Sequence, residues 1–434
     1  MAGTAQVLPS AFRPVASPTA GETMRARQLE LGRLVAADQA EDTRPFEVYF
    51  HVPFCLRRCG YCDFNTYTAK DLGEGASRGN FAHLATQEAM RLRRWQEAAG
   101  IDARPASTVF FGGGTPTILP ATDLAAMLST VRTLWGLEPD AEITTEANPD
   151  TVDERYIAAL AEAGFTRISF GMQSAVPQVL KTLDRTHNQA NVVAGVRAAA
   201  AYGLRSSVDL IYGAPGESLD QWKSSLDAAL ELGVNHISAY ALTVEPTTKM
   251  GRQIRRGELA SPNDDDEAAK YEVADETLAA AGFEWYEISN WARGGEVSRH
   301  NLGYWRNADW AGIGPGAHSH YGNMRAWDTK HPRMWAKQQH SGIIPWGGTE
   351  RVNAQESLEE TVMLGLRLHE GLSLREVARD DEAALESLRH SAEQLRDEGL
   401  LEMVDEPALR VRPTLKGRLL NDLVIERVLD AMGA

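Results

Sequence analysis

Short apolar runs alternate with amphipathic runs of helical spacing from residue 45 to about residue 282. Several of the apolar runs are nearly continuous, which is typical of parallel strands covered on both faces. Six strands are predicted: VYFHV (48–52), STVFFG (107–112), EITTEAN (142–148), RISFG (167–171), RSSVDLIYG (205–213) and HISAYAL (236–242). A series of such β-α units predicts a parallel sheet with right-handed crossovers, and therefore an α/β fold.

The helices between these strands have recognisable ends. Thr151 and Glu154 have the spacing of a capping box, and Gly164 is placed to end that helix. Ser218 and Gln221 repeat the capping spacing before an apolar stripe. Because a closed barrel of this type has eight units, six units predict an open, partial (β/α)6 TIM-like barrel. Its chemistry is expected on the loops at the carboxyl ends of the strands.

The hydrophobic pattern divides the chain into four predicted regions. Residues 1–44 are rich in Ala, Pro, Thr and Ser and are expected to form a flexible tail. Residues 45–282 form the core barrel, and the aromatic and Gly-rich residues 283–345 close it. Residues 346–434 contain helical patterns followed by a hairpin-like stretch, which predicts a small winged-helix-like α+β domain.

Composition narrows the classes of function. The formal net charge of −16 disfavours a sequence-independent grip on nucleic acid, which needs a basic surface. No apolar run approaches the roughly 18 to 20 residues of a membrane span. The N-terminal stretch lacks the compact apolar core of a secretory signal, so a cytoplasmic protein is expected, with a transit peptide as the alternative.

All three cysteines of the chain lie in one stretch, YFHVPFCLRRCGYCDFNTY, at Cys55, Cys59 and Cys62. The spacing Cys-x3-Cys-x2-Cys follows the first strand directly, which places three thiolates on one loop at the top of the barrel. Three thiolates can hold three irons of a [4Fe–4S] cluster and leave the fourth iron open. That iron could accept a small molecule such as S-adenosylmethionine.

Two other interpretations of the thiols stay open. Zinc would need a fourth ligand, which His51 could supply, and the chain would then be a zinc-dependent structural protein. The three thiols could also be unrelated to one another. An odd number of closely spaced cysteines argues against a disulfide framework.

The cysteine spacing, with Tyr61 before the last Cys, resembles the radical S-adenosylmethionine superfamily. FFGGGTPT, TEANP, SFGMQS and DLIYGAPGE follow at the ends of the second to fifth strands. In order and spacing, these motifs resemble the oxygen-independent coproporphyrinogen dehydrogenases and the related HemW-type haem chaperones. The resemblance covers most of the chain from about residue 45, including the C-terminal region, and implies a [4Fe–4S] cluster on the three cysteines.

The resemblance also implies a set of residues around S-adenosylmethionine. The Gly-rich loop would meet its methionyl amino group, Glu146 its ammonium or ribose, and Arg185 its carboxylate. For any one of these residues, ordinary capping or a surface pair is the alternative. The full set implied is Tyr49, Tyr61, Gly113, Gly114, Thr115, Glu146, Gln173, Arg185, Asp209 and Ala241.

Two features favour the chaperone branch. The dehydrogenases carry a further Cys two residues after the third, and that position is Phe64 here. The stretch HNLGYW, which begins at His300, fits a pattern associated with haem binding in the chaperones. His300 would be an axial haem ligand in a loop, Tyr304 and Trp305 would stack on the macrocycle, and Arg299 would pair with a propionate. Alternatively, this aromatic run packs the linker onto the barrel.

The favoured function is therefore a haem chaperone that binds the cluster, S-adenosylmethionine and haem, and delivers haem to an acceptor protein. The cluster would hold a homodimer together or gate the transfer. The alternative is an enzyme, an oxygen-independent coproporphyrinogen III dehydrogenase. In it a 5′-deoxyadenosyl radical would start the decarboxylation of porphyrinogen propionates. Either function implies an electron donor for the cluster.

Overall fold

The computed structural model describes residues 20–38, 44–379, 381–405 and 409–433. A twelve-stranded sheet forms its centre, and six parallel strands in sequence order form the middle of that sheet. The α/β fold and the partial barrel predicted from the sequence are confirmed. The six strands are β1 (Phe46–Val52), β2 (Ala106–Gly113), β3 (Leu137–Ala147), β4 (Arg167–Gln173), β5 (Arg205–Tyr212) and β6 (His236–Ala241).

Later parts of the chain extend the sheet on both sides of this core. The remaining strands are β7 (Glu284–Glu287), β8 (Asn290–Ala292), β9 (Asp309–Ile313), β10 (His318–Tyr321), β11 (Met324–Asp328), β12 (Trp346–Arg351), β13 (Leu372–Ser373), β14 (Leu401–Asp405) and β15 (Arg410–Pro413). β9 pairs in parallel with β1 on the edge opposite β2, and β10, β11 and β12 continue from it in antiparallel pairing. β8 and β7 follow β6 in antiparallel pairing, so β1 and β6 are both interior strands.

Helices cover the outer face of the barrel core, and later helices build the C-terminal region. A short 3₁₀ turn (Pro116–Ile118) follows β2. The helices are α1 (Ala20–Asp38), α2 (Phe81–Ala99), α3 (Ala121–Leu134), α4 (Glu154–Ala163), α5 (Pro177–Thr182), α6 (Gln189–Ala201), α7 (Leu219–Glu231), α8 (Lys249–Arg255), α9 (Asp264–Ala280), α10 (Arg299–Trp305), α11 (Pro332–His340), α12 (Ala354–Gly365), α13 (Leu374–Ala378), α14 (Glu382–Asp397), α15 (Leu415–Leu419) and α16 (Asn421–Ala431). Among the helices of the described residues, none is long and apolar enough to cross a membrane.

One of the two predicted capping boxes is confirmed. The Ser218 hydroxyl accepts the backbone N–H of Gln221, and the Gln221 side chain accepts the N–H of Ser218 in return. The predicted box at Thr151 and Glu154 is wrong, because Asp153 caps α4 instead. The Thr151 hydroxyl donates to the carbonyl of Asn148, three residues earlier, and closes the turn that precedes the helix.

The prediction of a flexible N-terminal tail fails for residues 20–38, which form α1. Val35 is buried on this helix, and the indole N–H of Trp95 on α2 donates to the carbonyl of Gln28 at 2.7 Å. The Gln28 side chain in turn donates to the carbonyl of Ile344 at 2.9 Å. α1 is therefore packed between α2 and the segment before β12; residues 1–19 and 39–43 lie outside the described residues.

The C-terminal region has a hydrophobic core of its own, formed between the last helices and a three-stranded sheet. The predicted hairpin corresponds to β14 and β15. Arg418 on α15 connects this region to the barrel, because its guanidinium donates twice to the Asp275 carboxylate on α9, at 2.9 and 2.8 Å. The same guanidinium lies 4.3 Å from the centre of the Trp285 ring. This ion pair and stacking contact fix the two parts of the molecule to each other.

Candidate functional site

A cavity of about 380 Å³ lies inside the partial barrel. Its wall includes the ends of β2, β3 and β4 and the loop after β1, which carries the three cysteines. It also includes the first residues of β4 and β6, so the cavity extends along the full length of these strands. Asn301 on α10 contributes to the wall as well.

The three cysteines line this cavity together. The loop turns tightly between the last two, since the N–H of Cys62 donates to the carbonyl of Cys59 at 3.2 Å. The Thr115 hydroxyl lies 3.7 Å from the Cys55 sulfur. Burial raises the pKa of the Cys55 thiol to about 11, and that of Cys62 is also raised by burial. A metal that binds here must therefore displace protons from the thiols.

The zinc alternative finds no support in this geometry. Within the described ranges, no three His, Cys, Asp or Glu side chains converge on a point where a single metal ion would bind. His51, the expected fourth ligand, donates from Nε2 to the carbonyl of Asn65 at 3.0 Å. Its Nδ1 lies 3.1 Å from the hydroxyl of Tyr49, so both ring nitrogens are engaged. An iron–sulfur cube differs from zinc because each thiolate binds a different iron.

The Gly-rich loop after β2 packs directly against the start of the cysteine loop. The N–H of Gly114 donates to the carbonyl of Val52 at 2.8 Å, and the N–H of Thr115 donates to the carbonyl of Phe54 at 2.9 Å. A Cβ at Gly114 would lie 2.7 Å from that Phe54 oxygen, which is too close for any side chain. Gly113 has a φ of +108°, in the region that favours glycine.

Glu146 joins this loop to the third strand. One oxygen of its carboxyl group accepts the N–H of Gly113 at 3.1 Å. Burial, reinforced by the nearby Asp209 carboxylate, raises the pKa of Glu146 to about 8. At neutral pH the group is therefore mostly protonated in the ligand-free chain and can donate a hydrogen bond into the cavity.

Arg185 lies beside the cysteine loop and is held by three contacts. Its Nη1 atom lies 3.5 Å from the sulfur of Cys59. Its Nη2 atom donates to the side-chain oxygen of Asn148 at 2.5 Å and to the carbonyl of Gly171 at 3.0 Å. These contacts fix a positive charge next to the place where a negatively charged cluster would sit.

The remaining cavity residues come from β4, β5 and β6. Gln173 adopts a φ of +62°, and its side-chain oxygen is buried without a hydrogen-bond partner among the described residues. Asp209 lies within β5, not at its end, and accepts hydrogen bonds from the hydroxyls of Ser169 and Ser238. Burial raises the pKa of Asp209. Tyr61 and Ala241 also line the cavity.

Two protein-family models match the chain. The Radical SAM superfamily model covers residues 49–229, and the HemN C-terminal domain model covers residues 352–420. A Mycobacterium tuberculosis protein named "Heme chaperone HemW" is 46% identical over 387 residues, which are 89% of this chain and 95% of that protein. The chain belongs to the HemW family of radical SAM proteins. A Bacillus subtilis HemW protein is 32% identical over 379 residues, which are 87% of this chain and 97% of that one.

A solved structure shares the fold of this HemW family member. The Escherichia coli protein described as coproporphyrinogen III oxidase, HemN, superposes with a TM-score of 0.76 and covers 92% of both chains. Only 21% of the residues are identical, so this likeness concerns the fold alone. Membership of the radical SAM family implies a [4Fe–4S] cluster and S-adenosylmethionine as cofactors.

The cavity residues of this HemW family member fit those two cofactors. Three thiols from one loop match the three ligands that such a cluster needs, and Arg185 supplies a balancing charge. The unpartnered side-chain oxygen of Gln173 is suited to a ligand with a hydrogen-bond donor. Twelve of the expected residues share the cavity wall: Cys55, Cys59, Tyr61, Cys62, Gly113, Gly114, Thr115, Glu146, Gln173, Arg185, Asp209 and Ala241.

Two expected residues do not line the cavity. Tyr49 lies behind its wall, where its ring packs against Phe110 and His300 and its hydroxyl contacts His51. His300 is 1% exposed, and its Nδ1 and Nε2 atoms lie 2.6 and 2.9 Å from the hydroxyls of Thr108 and Tyr304. Burial lowers the pKa of His300 to about 3, so the ring is neutral.

The expectation that His300 lies in a loop is wrong, because it is part of α10. The ring of His300 stacks on Phe110 of β2 with their centres 4.9 Å apart, and the short helix packs against that strand. Arg299, the expected propionate partner, instead forms an ion pair with Asp140 at 3.0 Å. The alternative interpretation of this stretch, packing onto the barrel, describes the observed arrangement.

Several polar residues of the site escaped sequence reasoning. Asn148 holds Arg185 and follows Glu146 in the quoted TEANP motif, so a signal for it was present. Asn65 donates to the carbonyls of Pro315 and Lys330 at 2.8 and 2.7 Å and ties the cysteine loop to the β9–β10 and β11–α11 connections. Nothing in the local pattern distinguishes Asn65 from other loop asparagines.

Proposed function

We propose that this protein is a haem chaperone that binds haem and passes it to acceptor proteins. The observation that carries the proposal is the 46% identity to a protein named as a haem chaperone, along 95% of that protein's length. The match spans both the barrel and the C-terminal region. It is therefore a match of the whole molecule and not of the cofactor domain alone.

In this proposal, Cys55, Cys59 and Cys62 hold a [4Fe–4S] cluster. S-adenosylmethionine lies in the cavity between the Gly-rich loop and β6. When reduced, such a cluster supplies an electron that can split S-adenosylmethionine. The protein's own residues position the ligand: the backbone of the Gly-rich loop approaches it closely, and Glu146 offers a hydrogen bond.

The side chain at position 64 supports the chaperone over the dehydrogenase. Phe64 lies in the cavity wall near Cys62 and is 62% exposed. The dehydrogenases that the sequence resembles carry a thiol at this position. An exposed aromatic ring offers a stacking surface to a flat macrocycle, whereas it offers no ligand to a metal.

The haem ligand proposed from the sequence is His300. In the described conformation its ring is buried and both nitrogens are hydrogen-bonded. Ligation of haem iron by His300 therefore requires α10 to leave its position against β2. The electron donor, the acceptor protein, the homodimer and the cytoplasmic location stay predictions.

The test uses full-length protein purified and reconstituted without oxygen. One assay titrates haem and follows the Soret band. A second supplies coproporphyrinogen III, S-adenosylmethionine and a reductant, and looks for protoporphyrinogen IX. A third mixes the haem-loaded protein with an apo-haem protein and follows transfer. Haem binding and transfer without decarboxylation are expected; turnover without haem binding would overturn the proposal.

The role of His300 is tested in the same titration. His300→Ala is compared with His83→Ala, which removes an exposed histidine on α2. A changed Soret spectrum in the first variant only would support His300 as the ligand. An unchanged spectrum in both variants would assign haem binding to other residues.

A further inference from the structure

The end of the barrel cavity farthest from the cysteine loop carries two side chains that no proposed cofactor contact uses. Arg167 is the first residue of β4 and His236 is the first residue of β6. Both line the main cavity, and both also line a second cavity of about 290 Å³ at the amino ends of β5 and β6. Six residues of strand separate Arg167 from Gln173, which is roughly 20 Å.

Both side chains are buried and keep a polar atom without a partner. Arg167 is 3% exposed, and its Nη2 atom has no hydrogen-bond partner among the described residues. His236 is 2% exposed. Its Nδ1 atom also has no hydrogen-bond partner within the described part of the chain. A buried polar group without a partner costs about 1–3 kcal/mol, and more when it is charged. Both residues line the same two cavities, and their unpartnered atoms point to a ligand that supplies the missing partner.

The hydrogen-bond chain around His236 allows its free nitrogen to be a donor. The N–H of Ser298 donates to the Tyr286 hydroxyl at 3.2 Å. That hydroxyl lies 2.7 Å from Nε2 of His236, where it can donate its own proton. Burial, with the charge of Arg167 adding to it, lowers the pKa of His236 well below its usual range, so the ring is neutral. When the hydroxyl donates to Nε2, the single proton of the ring is on Nδ1.

In that tautomer, both free groups at this end of the cavity are donors. A guanidinium has no acceptor atom, and Nδ1–H has none either. The charge of Arg167 favours the ionised form of the Asp209 carboxyl group. Asp209 already accepts hydrogen bonds from the hydroxyls of Ser169 and Ser238. Arg205, the other cation near His236, is paired with Glu142 and Glu296. One unpaired cation with a neutral donor beside it matches a ligand with one negative charge and two acceptor oxygens, which describes a carboxylate.

We propose that Arg167 and His236 form a carboxylate-binding subsite at the deep end of the barrel cavity. The carboxylate has two possible sources: an arm of a larger ligand that occupies the main cavity, or a small free acid that enters through the second cavity. If the proposed function holds, the arm is a propionate of the tetrapyrrole. The subsite itself does not depend on that function.

The first experiment uses the ligand-free full-length chain and thermal unfolding. Sodium propionate is expected to raise the melting temperature of the unsubstituted protein, whereas propionamide and sodium chloride at equal concentration are not. Arg167→Met is expected to abolish the propionate response. It should not lower the melting temperature of the ligand-free protein, because it removes an unpaired buried charge. Arg299→Gln, whose guanidinium is paired with Asp140 outside the cavity, is expected to keep the response.

Three outcomes would overturn the subsite. They are an absent propionate response in the unsubstituted protein, an equal response in Arg167→Met, and a large loss of stability in ligand-free Arg167→Met. The last would show that Arg167 has a structural partner. His236→Phe provides a second variant that removes the other donor, and its propionate response is expected to fall as well.

The second experiment separates the two sources. Protoporphyrin IX and its dimethyl ester are titrated and followed by absorbance. If an arm occupies the subsite, the diacid binds about 10-fold or more tightly than the diester, and Arg167→Met removes this preference. If the preference survives in Arg167→Met while the propionate response is lost, the ligand is a small free acid. If neither porphyrin binds the unsubstituted protein, the proposed function fails while the propionate result still decides the subsite.

Discussion

The Nη1 atom of Arg185 lies 3.5 Å from the sulfur of Cys59, across the cavity wall from the Gly-rich loop. The guanidinium is fixed in place by Asn148 and the carbonyl of Gly171. A fixed positive charge beside a thiolate ligand favours additional negative charge on whatever the thiolate binds. Arg185 is therefore expected to act on a bound cluster by electrostatics.

Arg185→Gln is expected to make the reduction potential of the reconstituted cluster more negative. Two charges roughly 10 Å apart at an effective dielectric constant of about 20 interact by about 1–2 kcal/mol, on the order of 50 mV for one electron. A redox titration monitored by electron paramagnetic resonance measures the shift. Arg185→Lys keeps the charge and should keep most of the potential; an equal shift in both variants would contradict the electrostatic explanation.

Serine at Cys55, Cys59 or Cys62 is expected to reduce iron and sulfide to background levels after anaerobic reconstitution, because three thiolates are the minimum set for the cluster. Chemical iron and sulfide analysis and the charge-transfer absorbance of the cluster measure the loss. Phe64→Ser alters the same loop without removing a thiol and should retain the cluster. Full iron content in any of the three cysteine variants would contradict the assignment.

Glu146→Gln is expected to change how stability depends on pH. The pKa of Glu146 is raised to about 8 in the folded chain, so the folded state holds a proton that the unfolded state releases near its ordinary pKa. The stability this proton provides is complete below about pH 4 and is lost as pH rises through about 8.

Urea unfolding of the ligand-free protein at several pH values tests this prediction. Relative to Glu146→Gln, the unsubstituted protein should lose on the order of a few kcal/mol between pH 5 and pH 9. Parallel pH profiles for the two proteins would show that the pKa of Glu146 is not raised.

Gly114→Ala is expected to separate the Gly-rich loop from the cysteine loop, because its Cβ would lie 2.7 Å from the carbonyl oxygen of Phe54. A loss of about 1–3 kcal/mol in unfolding free energy and weaker binding of S-adenosylmethionine should follow. Equilibrium dialysis against the reconstituted protein measures the binding. Gly79→Ala is the matched control, since no heavy atom lies within 4 Å of its added Cβ; equal effects in the two variants would disprove the steric argument.

Arg418→Gln is expected to loosen the C-terminal region from the barrel. It leaves the Asp275 carboxylate without its bidentate partner and removes the contact with Trp285. The loss should be about 3 kcal/mol, with faster release of a C-terminal fragment by limited proteolysis. Arg427→Gln removes an exposed ion pair with Glu398 and should cost less than about 1 kcal/mol. Similar protease sensitivity in both variants would argue against the role of Arg418.

Local patterns were enough to predict the six core strands and the cavity residues that follow them. A continuous apolar run such as that around Phe50 has one plausible environment, a strand covered on both faces. The carboxyl ends of parallel strands meet at one edge, so residue type and spacing also brought Cys55, Gly114 and Glu146 together. These features depend on short segments and on the regularity of the sheet.

Features that depend on distant contacts could not be predicted. The burial of His300 results from packing of α10 against β2, nearly 200 residues earlier, and spacing does not show which side of a helix faces the barrel. Arg167 resembles any charged residue at the start of a strand, yet it is enclosed by the barrel. α1 has a weakly amphipathic sequence whose partner, Trp95, lies outside the segment.

The pairing of β1 with β9 has a consequence for the order in which the molecule is assembled. β1 is synthesised first among the core strands, but its outer edge has no partner until residues 309–313 have emerged. The cysteine loop that follows β1 also needs the carbonyls of Pro315 and Lys330 to receive Asn65. The thiols therefore reach their final arrangement only when more than two thirds of the polypeptide has left the ribosome, and cofactor insertion belongs to the last stage of folding.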